Sequence, residues 1–519
     1  MATPASLALE GKDPRVHEEE VQPYHADKVP FEAFLHFAAL QRQKEDHGFE
    51  SQGSSFMSRL FKKTGAVPAI VDVNVDEKVS PRRSPSIAVS DEERIQANRA
   101  LRTATWISFV SGVLLFFFLG LAAFYTGMQL WYMYLNLDSD EYPVHNYSDL
   151  TERIYGRFAR HCINVLQTIQ LLFNVAVCFS VLAVIWTVIG MTVGQIRSLQ
   201  NYGNLAHFAI WLNLLVIFIT MGAVAHSPPN FQAAMQENNV SMGTGQVITS
   251  ATINLPFTAQ IVGVMQMVYS YGGAMLFIEL MAEMKRPFDF WKGMVCAQLL
   301  IVTVYLLFGV YVYAFQGQYT INPANQGISG FGLQTATNIL SLVSAIIAAG
   351  LYGNIGLKVI YVNIVQDIFK GPPLISRGGR FIWVGLVLAY WALAFVIASA
   401  VPQFSNISGL VAALCILQFT YTFPPILFVG FIMQRDAIQG QPEYTPGIEV
   451  SQIRPDTWYN FSRWWRGFKN LWWLNTFNFL IFLAALATAG LGAFSSIEGI
   501  IAGFKVAGSA TSFGCQAPV

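Results

Sequence analysis

The residues whose types and spacing can do chemistry are concentrated in one stretch, "MVYSYGGAMLFIELMAEMKRP". Two adjacent glycines, Gly272 and Gly273, interrupt an apolar sequence, and the hydroxyl-bearing residues Ser270 and Tyr271 stand directly before them. Glycine adopts φ > 0 freely and weakens a helix. The pair therefore predicts either a local unwinding of the helix or a place where two helices pack closely, for which small residues are typical in membranes.

Two acids follow the glycines. Glu279 and Glu283 are four residues apart, so they share one face of a helix, and the basic residues Lys285 and Arg286 come directly after them. One interpretation is a helix end whose acids pair with loop bases. The other is an acidic gate or a proton-handling group, because carboxylates inside a membrane are costly and usually functional. Glu279 lies deeper in the apolar stretch and is the stronger candidate.

The elements that must position these residues are membrane helices. The chain has 519 residues, of which 54% are hydrophobic and only 12% charged. A crossing needs about 20 apolar residues, and inside a bilayer the backbone must satisfy its own hydrogen bonds. The sequence thus predicts an all-α polytopic membrane protein with spans near 105–135, 205–226, 257–284, 293–315, 334–366, 378–401, 404–433 and 473–497.

Three further positions within these spans are candidates. Lys358 is the only charge in 334–366, so it either extends its ammonium group to the membrane surface or pairs near the inner face, or it takes the place of a bound ion. Asn354 either packs against a neighbouring helix or lines a cavity. Pro424 and Pro425 must interrupt helical hydrogen bonding and are candidates for a hinge.

Composition excludes other classes. The formal net charge is zero, which gives no electrostatic footprint for nucleic acid. The five cysteines are scattered, and no metal-ligand spacing, nucleotide loop or hydrolase motif occurs. We therefore expect no enzyme, no cofactor and no metal. Residues 1–100 are polar and predict a cytoplasmic, largely disordered tail, within which Pro30–Gln43 is a candidate short amphipathic helix.

Orientation follows from the basic residues of the short loops. Loops that carry Lys and Arg alternate with uncharged loops after residue 200, which places the basic loops in the cytoplasm. The sequons at Asn239 and Asn406 both fall on the predicted outside, where glycosylation is permitted.

The alternation fails before residue 200. One span, 105–135, separates two basic segments, and one crossing cannot return to the same side. The uncharged segment 162–196 would be about 52 Å long as one helix, which is too long for one crossing and cramped for two. We infer that a helix is missing before residue 105 and part of a helix–loop is missing near residue 178. A tilted helix with a re-entrant segment is the alternative.

The stretch "YSYGGAMLFIELMAEMKRPFDFWKGM" resembles the sixth helix of the amino acid/auxin permease family. The segments "RALRTATW", "LDSDEYPVHNYSDL", "WLNLLVIFITMGAVAHSPPN" and "GLYGNIGLKVIYVNI" resemble fungal neutral amino acid permeases of the methyltryptophan-resistance type. The resemblance covers the chain from about residue 90 to about residue 505.

The resemblance implies a fold and an activity. The fold is the inverted-repeat (LeuT-like, APC superfamily) transporter fold, in which helices one and six are broken at the midplane and hold the substrate. The implied activity is symport of a neutral amino acid with a proton across the lipid bilayer, at the plasma membrane or alternatively at the vacuolar membrane. It favours the unwound site at Gly272 and Gly273 with flanking Ser270 and Tyr271, whereas Tyr269 can pack in the core.

The sequence departs from the family where the first helix belongs. After "RALRTATW" comes a segment that resembles helix two, so the Gly/Pro-rich first helix is not encoded there. We expect a transporter domain at 101–506 with about nine or ten helices, a short tail at 507–519, and doubtful transport by this form. The alternative is a non-transporting amino acid sensor or scaffold of the same fold.

Overall fold

The computed structural model describes residues 29–50, 106–177, 183–195, 200–238, 247–249, 256–374, 376–400, 404–438 and 461–507. Across these ranges the regular elements are helical, apart from one isolated β-bridge between Pro229 and Ile328. The prediction of an all-α chain is confirmed.

The helices are numbered here in chain order. They are α1 (Phe31–Glu50), α2 (Trp106–Leu137), α3 (Tyr147–Tyr155), α4 (Arg157–Val177), α5 (Ala183–Val193), α6 (Gln200–His226), α7 (Phe231–Asn238), α8 (Phe257–Tyr269), α9 (Phe277–Glu283), α10 (Phe290–Gln316), α11 (Phe331–Ile360), α12 (Arg377–Ala400), α13 (Phe404–Val411), α14 (Phe423–Ile438), α15 (Phe461–Asn470) and α16 (Trp472–Ala507). A π-helical turn, Tyr361–Ile368, continues α11, and two more, Ala412–Ile416 and Gln418–Thr422, join α13 to α14.

Within the described ranges, eight helical segments are long and apolar enough to cross a membrane, and they match the eight spans predicted from sequence. They are Gly112–Leu137, His207–His226, Phe257–Glu283, Pro287–Tyr319, Phe331–Gln366, Arg377–Ile397, Asn406–Ile438 and Trp472–Ala502. Large apolar side chains such as Trp211, Phe218 and Phe381 point outward and are exposed. Such a surface suits contact with lipid, because in water it would be a large exposed apolar patch.

The two ends of the bundle differ in charge. We call the inner end the one where Lys285, Arg286 and Arg435 lie, and the outer end the one that carries the uncharged segment 317–330. The inner end also holds the end of α2, because the Trp131 indole N–H donates to the carbonyl of Pro287 at 3.2 Å. The short helix α3 lies there too, with Asn146 as its N-cap and Gly156, at φ 82°, as its C-cap.

The structure describes two helices across segment 162–196, α4 of 21 residues and α5 of 11 residues, which correspond to about 31 Å and 16 Å of helix. α5 is shorter than the hydrocarbon core of about 30 Å. It packs closely on α12, because a Cβ at Gly190 would lie 2.1 Å from the Trp391 ring.

Helix α1 lies inside the segment expected to be a tail. Phe31, Ala33, Phe34 and Ala38 are buried against the inner end of the bundle. The predicted amphipathic helix at Pro30–Gln43 is thus present and extends to Glu50.

Candidate functional site

The helix that contains the glycine pair is interrupted at that pair. α8 ends at Tyr269, a turn covers 270–273, a 3₁₀ turn follows at Ala274–Leu276, and α9 begins at Phe277. Within the turn the hydrogen bonds tighten: the N–H of Gly272 donates to the carbonyl of Tyr269 at 3.2 Å, and that of Gly273 donates to Tyr271 at 3.0 Å. The break divides one span into an outer half, α8, and an inner half, α9.

Gly272 is needed for space and not for backbone freedom. Neither Gly272 nor Gly273 has positive φ, which corrects the expectation that such freedom would explain the pair. A Cβ at Gly272 would lie 3.1 Å from Cδ1 of Ile416 and 3.1 Å from the Tyr269 carbonyl oxygen. A Cβ at Gly273 would meet nothing closer than Phe277, at 3.8 Å. Gly272 is therefore the tightly packed member.

An open cavity of about 470 Å³ lies beside the outer half of the break. Its volume falls in the range of small-molecule sites, about 300–1,000 Å³. The lining is mostly apolar with a few polar groups: Gly112, Val113, Phe116, Gln266, Met267, Tyr269, Ser270, Tyr305, Leu306, Gly309, Val310 and Asn322. The lining residue Asn322 belongs to the uncharged outer segment, so the cavity lies toward the outer end.

Tyr269 and Tyr271 have the opposite positions from those expected from sequence, which placed Tyr271 beside the site and Tyr269 in the core. Tyr269 lines the cavity, whereas Tyr271 is buried and its hydroxyl donates to the carbonyl of Phe116 in α2 at 3.0 Å. Tyr271 therefore connects the broken segment to α2 by a hydrogen bond in this conformation. Ser270 does line the cavity, and its hydroxyl donates to the Met267 carbonyl at 2.6 Å.

The π-helical turns before α14 lie directly across from the break. Ile416 contacts Gly272, and the Thr420 hydroxyl lies 3.5 Å from the carbonyl oxygen of Tyr271. Pro424 and Pro425 occupy the first turn of α14, where a missing N–H is tolerated. Because neither proline can donate to a carbonyl four residues earlier, the irregular backbone precedes them. The hinge role of the prolines stays a prediction.

Glu279 is held at a junction of three helices at the inner end. Gln167 of α4 donates from Nε2 to its Oε1 at 2.8 Å, and the backbone N–H of Tyr147, at the start of α3, also interacts with the carboxylate. Its Oε2 is enclosed and makes no hydrogen bond with the described residues. Glu283, one turn further along α9, is exposed. The two acids thus have different environments, and only Glu279 joins α9 to α3 and α4.

A stripe of amides that sequence reasoning missed runs along α4 beside Glu279. Asn164, Gln167, Gln170 and Asn174 are all buried, and their spacing of three, three and four residues puts them on one helix face. Both polar ends of the Gln170 amide are enclosed without a hydrogen-bond partner among the described residues. A buried amide of this kind calls for water or a ligand. The sequence does contain a signal for this stripe, because these Asn and Gln residues recur at helical spacing in an uncharged segment.

The remaining candidates are not gathered at the break. Asn354 is fully buried in α11, between Gly353 and Gly356, which pack against Val175 and Leu171 of α4. Lys358 lies half-buried in the last turn of α11.

The structure describes one of the two sequon asparagines. Asn239 lies outside the described residues. Asn406 lies in the first turn of α13, with its amide against Gly499 of α16.

In the part of the chain that the structure describes, eight helical segments are apolar enough to span a membrane, and one of them is broken at a glycine pair beside a cavity. This architecture is that of a multi-spanning membrane protein and is consistent with a transporter. Residues 173–437, about half of the chain, match the model of the family described as "Transmembrane amino acid transporter protein". The chain belongs to this family, and the resemblance found in the sequence is confirmed. The family consists of transporters and not of enzymes.

Three relatives of low sequence identity also carry the names of transporters. The chain is 24% identical over 303 residues to a "Transmembrane transporter" of Gibberella moniliformis, covering 55% of this chain and 62% of that protein. It is 24% identical over 323 residues to a "Transmembrane transporter" of Fusarium pseudograminearum, covering 59% and 65%. It is 22% identical over 421 residues to the "N amino acid transport system protein" of Neurospora crassa, covering 76% and 79%. The chain thus spans less than two thirds of the length of the first two relatives.

Proposed function

We propose that this chain carries an amino acid across a membrane by alternating access, with the break between α8 and α9 as its substrate site. The observation that carries the proposal is an interrupted helix that meets π-helical turns on one side and an outer cavity on the other. Irregular backbone at membrane depth is tolerated where it is buried in protein or lines a cavity. The ends of half-helices attract the carboxylate and the ammonium group of an amino acid.

The lining of the cavity favours a neutral substrate. No Asp, Glu, Lys or Arg occurs among the described residues that line it. A charged substrate side chain would therefore lack a counter-charge at that site, and desolvating it would be costly. The name of the Neurospora crassa relative, an amino acid transport system protein, agrees with an amino acid as substrate.

Two variants with matched geometry test the substrate site. Ser270→Ala removes a cavity hydroxyl, and we expect a raised KM for uptake of a radiolabelled neutral amino acid. Thr488→Ala is the control, because Thr488 also donates back to its own helix, to the Ala484 carbonyl at 2.8 Å, on exposed surface of α16. Equal KM values for the two variants would argue against the site.

Glu279 is our candidate for coupling transport to a proton. It is the acid of α9 that links three helices, and proton uptake would weaken its hold on Gln167 and Tyr147 and free the inner half-helix. Glu279→Gln should abolish the stimulation of uptake by low external pH. Glu283→Gln, its exposed neighbour on the same helix, should keep that stimulation. Stimulation that survives in Glu279→Gln contradicts this role.

The position of α1 supports the proposal that a crossing is missing before α2. α1 packs at the inner end of α2, where Arg42 pairs with Asp138 at 3.1 Å, but α2 begins at Trp106 near the other end. The 32 residues of α2 cover about 48 Å. The sequence between these two helices contains no apolar run of the length that a crossing requires.

The competing function is a non-transporting amino acid sensor or scaffold of the same fold. It is favoured by the same missing crossing, which would remove half of the substrate site. Uptake by the 519-residue chain in permease-deficient cells, compared with a form that carries a Gly/Pro-rich helix between Trp106 and Ile107, separates the two. Uptake only by the longer form assigns transport to that form and supports a sensor or scaffold role for this chain.

We further propose the division into a tail at 1–100, a transporter domain at 101–506 and a tail at 507–519, with the plasma membrane as location and the vacuolar membrane as the alternative. Fluorescence of a tagged chain, compared with markers of the two membranes, tests the location.

A further inference from the structure

Helix α1 is joined to the inner end of the bundle by several kinds of contact. Arg42 pairs with Asp138 at the end of α2, with 3.1 Å between Nη2 and Oδ2. Phe31 packs edge-to-face on Phe431 of α14, with ring centroids 5.8 Å apart. These contacts attach α1 to two membrane-spanning helices at once.

α1 also attaches to the loop between α2 and α3. The Phe34 ring packs edge-to-face on Tyr142, with centroids 5.5 Å apart, and the Arg153 guanidinium lies 4.8 Å from the centroid of the same Phe34 ring. Arg153 in turn donates to the carbonyls of Leu137, Tyr142 and Pro143 and so fixes the loop. α1 therefore covers the segment that leads into α3.

The chain of contacts continues to the broken helix. The start of α3 meets the carboxylate of Glu279 in α9. Phe31 and Phe34 of α1 also belong to one buried hydrophobic cluster with Ile278 and Met281 of α9, which we call the inner cluster. The inner half of the broken helix thus shares a buried cluster with α1, whereas the cavity at the break lies toward the outer end.

We propose that α1 is a working part of the inner gate, whose docking holds α9, α3 and the end of α14 together and which must detach before the inner side opens. α1 lies outside residues 173–437, the part of the chain that matches the family model, as do α2 and α3. The proposal rests on the alternating access proposed above, and its first readout does not require transport.

The test measures access to the inner cluster with a reporter cysteine. Met281, which is fully buried, is replaced by Cys in a full-length chain whose five native cysteines are replaced. The rate of labelling by a maleimide is then compared between this parent, Phe34→Asp and Leu40→Asp. Leu40 lies on the same helix but is 41% exposed, so its variant adds the same charge without entering the interface.

We expect Phe34→Asp to raise the labelling rate about tenfold or more, which corresponds to about 1.4 kcal/mol of lost docking, and Leu40→Asp to leave it unchanged. Arg42→Ala is the second variant, because it removes the ion pair without burying a charge, and it should raise the rate in the same direction. Equal rates for the parent, Phe34→Asp and Arg42→Ala would overturn the proposal, as would a rise of the same size in Leu40→Asp.

Uptake measured on the same variants separates this inference from the proposed function. Faster labelling without uptake in any form leaves the docking of α1 over the inner cluster in place and removes the transport proposal. Normal uptake in the parent, with labelling that does not respond to loss of α1 contacts, removes the gate and leaves transport.

Discussion

Alanine at Gly272 and alanine at Gly273 should have opposite effects, because the two neighbours differ in space and not in backbone conformation. A methyl group at Gly272 would be 3.1 Å from Ile416 Cδ1 and 3.2 Å from its Cγ2, closer than ordinary contact. Overpacking of this kind costs about 1–3 kcal/mol. A methyl group at Gly273 has ordinary contact at 3.8 Å, and Gly→Ala at a compatible position stabilises by about 0.4–1 kcal/mol.

The difference between the two variants isolates the contact with Ile416. Both substitutions reduce the entropy of the unfolded chain by the same amount, so Gly272→Ala should be less stable than Gly273→Ala by about 1–3 kcal/mol. The assay is thermal unfolding of the purified chain in detergent, followed by tryptophan fluorescence. Uptake should fall in Gly272→Ala and be retained in Gly273→Ala.

A third variant identifies the clashing group. Ile416→Val removes the Cδ1 atom, so it should partly rescue Gly272→Ala. The rescue is partial because the Cγ2 methyl group at 3.2 Å and the Tyr269 carbonyl oxygen at 3.1 Å remain. Equal midpoints for the two alanine variants, or no rescue by Ile416→Val, would refute the argument that Gly272 is required for packing against the π-helical turn.

The other predictions concern packing, charge and the amide stripe. Gly190→Ala would place its Cβ 2.1 Å from the Trp391 ring and should lower the unfolding midpoint strongly, whereas Gly222→Ala, with no atom within 4 Å, should not. Burial is the main cause that raises the pKa of Asp138 above its ordinary range. The folded chain therefore binds a proton on the Asp138 carboxylate more tightly than the unfolded chain does. The wild type should gain stability relative to Asp138→Asn as pH falls from neutral through the folded-state pKa of Asp138. A stability difference between the two proteins that stays constant across that pH range would contradict this prediction. Gln170→Leu should keep or raise stability, because it removes a buried amide without partners, but it should lower uptake if water or substrate uses the stripe; unchanged uptake would assign the stripe to packing alone.

Much of this protein was readable from the order of its residues. The eight spans follow from apolar runs, because a bilayer demands about 20 such residues whatever the neighbouring helices are. The interruption at Gly272 also follows from local sequence, since glycines weaken a helix wherever they stand. Family membership was visible in the ordered motifs of the broken helix and its neighbours.

Other features exist only because distant segments meet. The sequence could not tell that Gly272 is needed for the side chain of Ile416, because these residues are 144 positions apart and the contact depends on how two helices pack. Nor could it tell that Tyr269 lines the cavity while Tyr271 is buried, since rotation of α8 about its axis decides which face meets α2.

The sharpest contrast is at α1 and Glu279. The sequence predicts a short amphipathic helix at Pro30–Gln43 within residues 1–100, whose polar composition predicts a disordered tail. The tertiary structure supplies a partner for this helix: the inner cluster buries Phe31 and Phe34. Glu279 likewise was recognisable as a costly acid in an apolar helix. Only the packing of α3 and α4 around α9 brings Tyr147 and Gln167 to its carboxylate, because hydrogen-bond partners at long sequence separation are fixed by packing and not by local pattern.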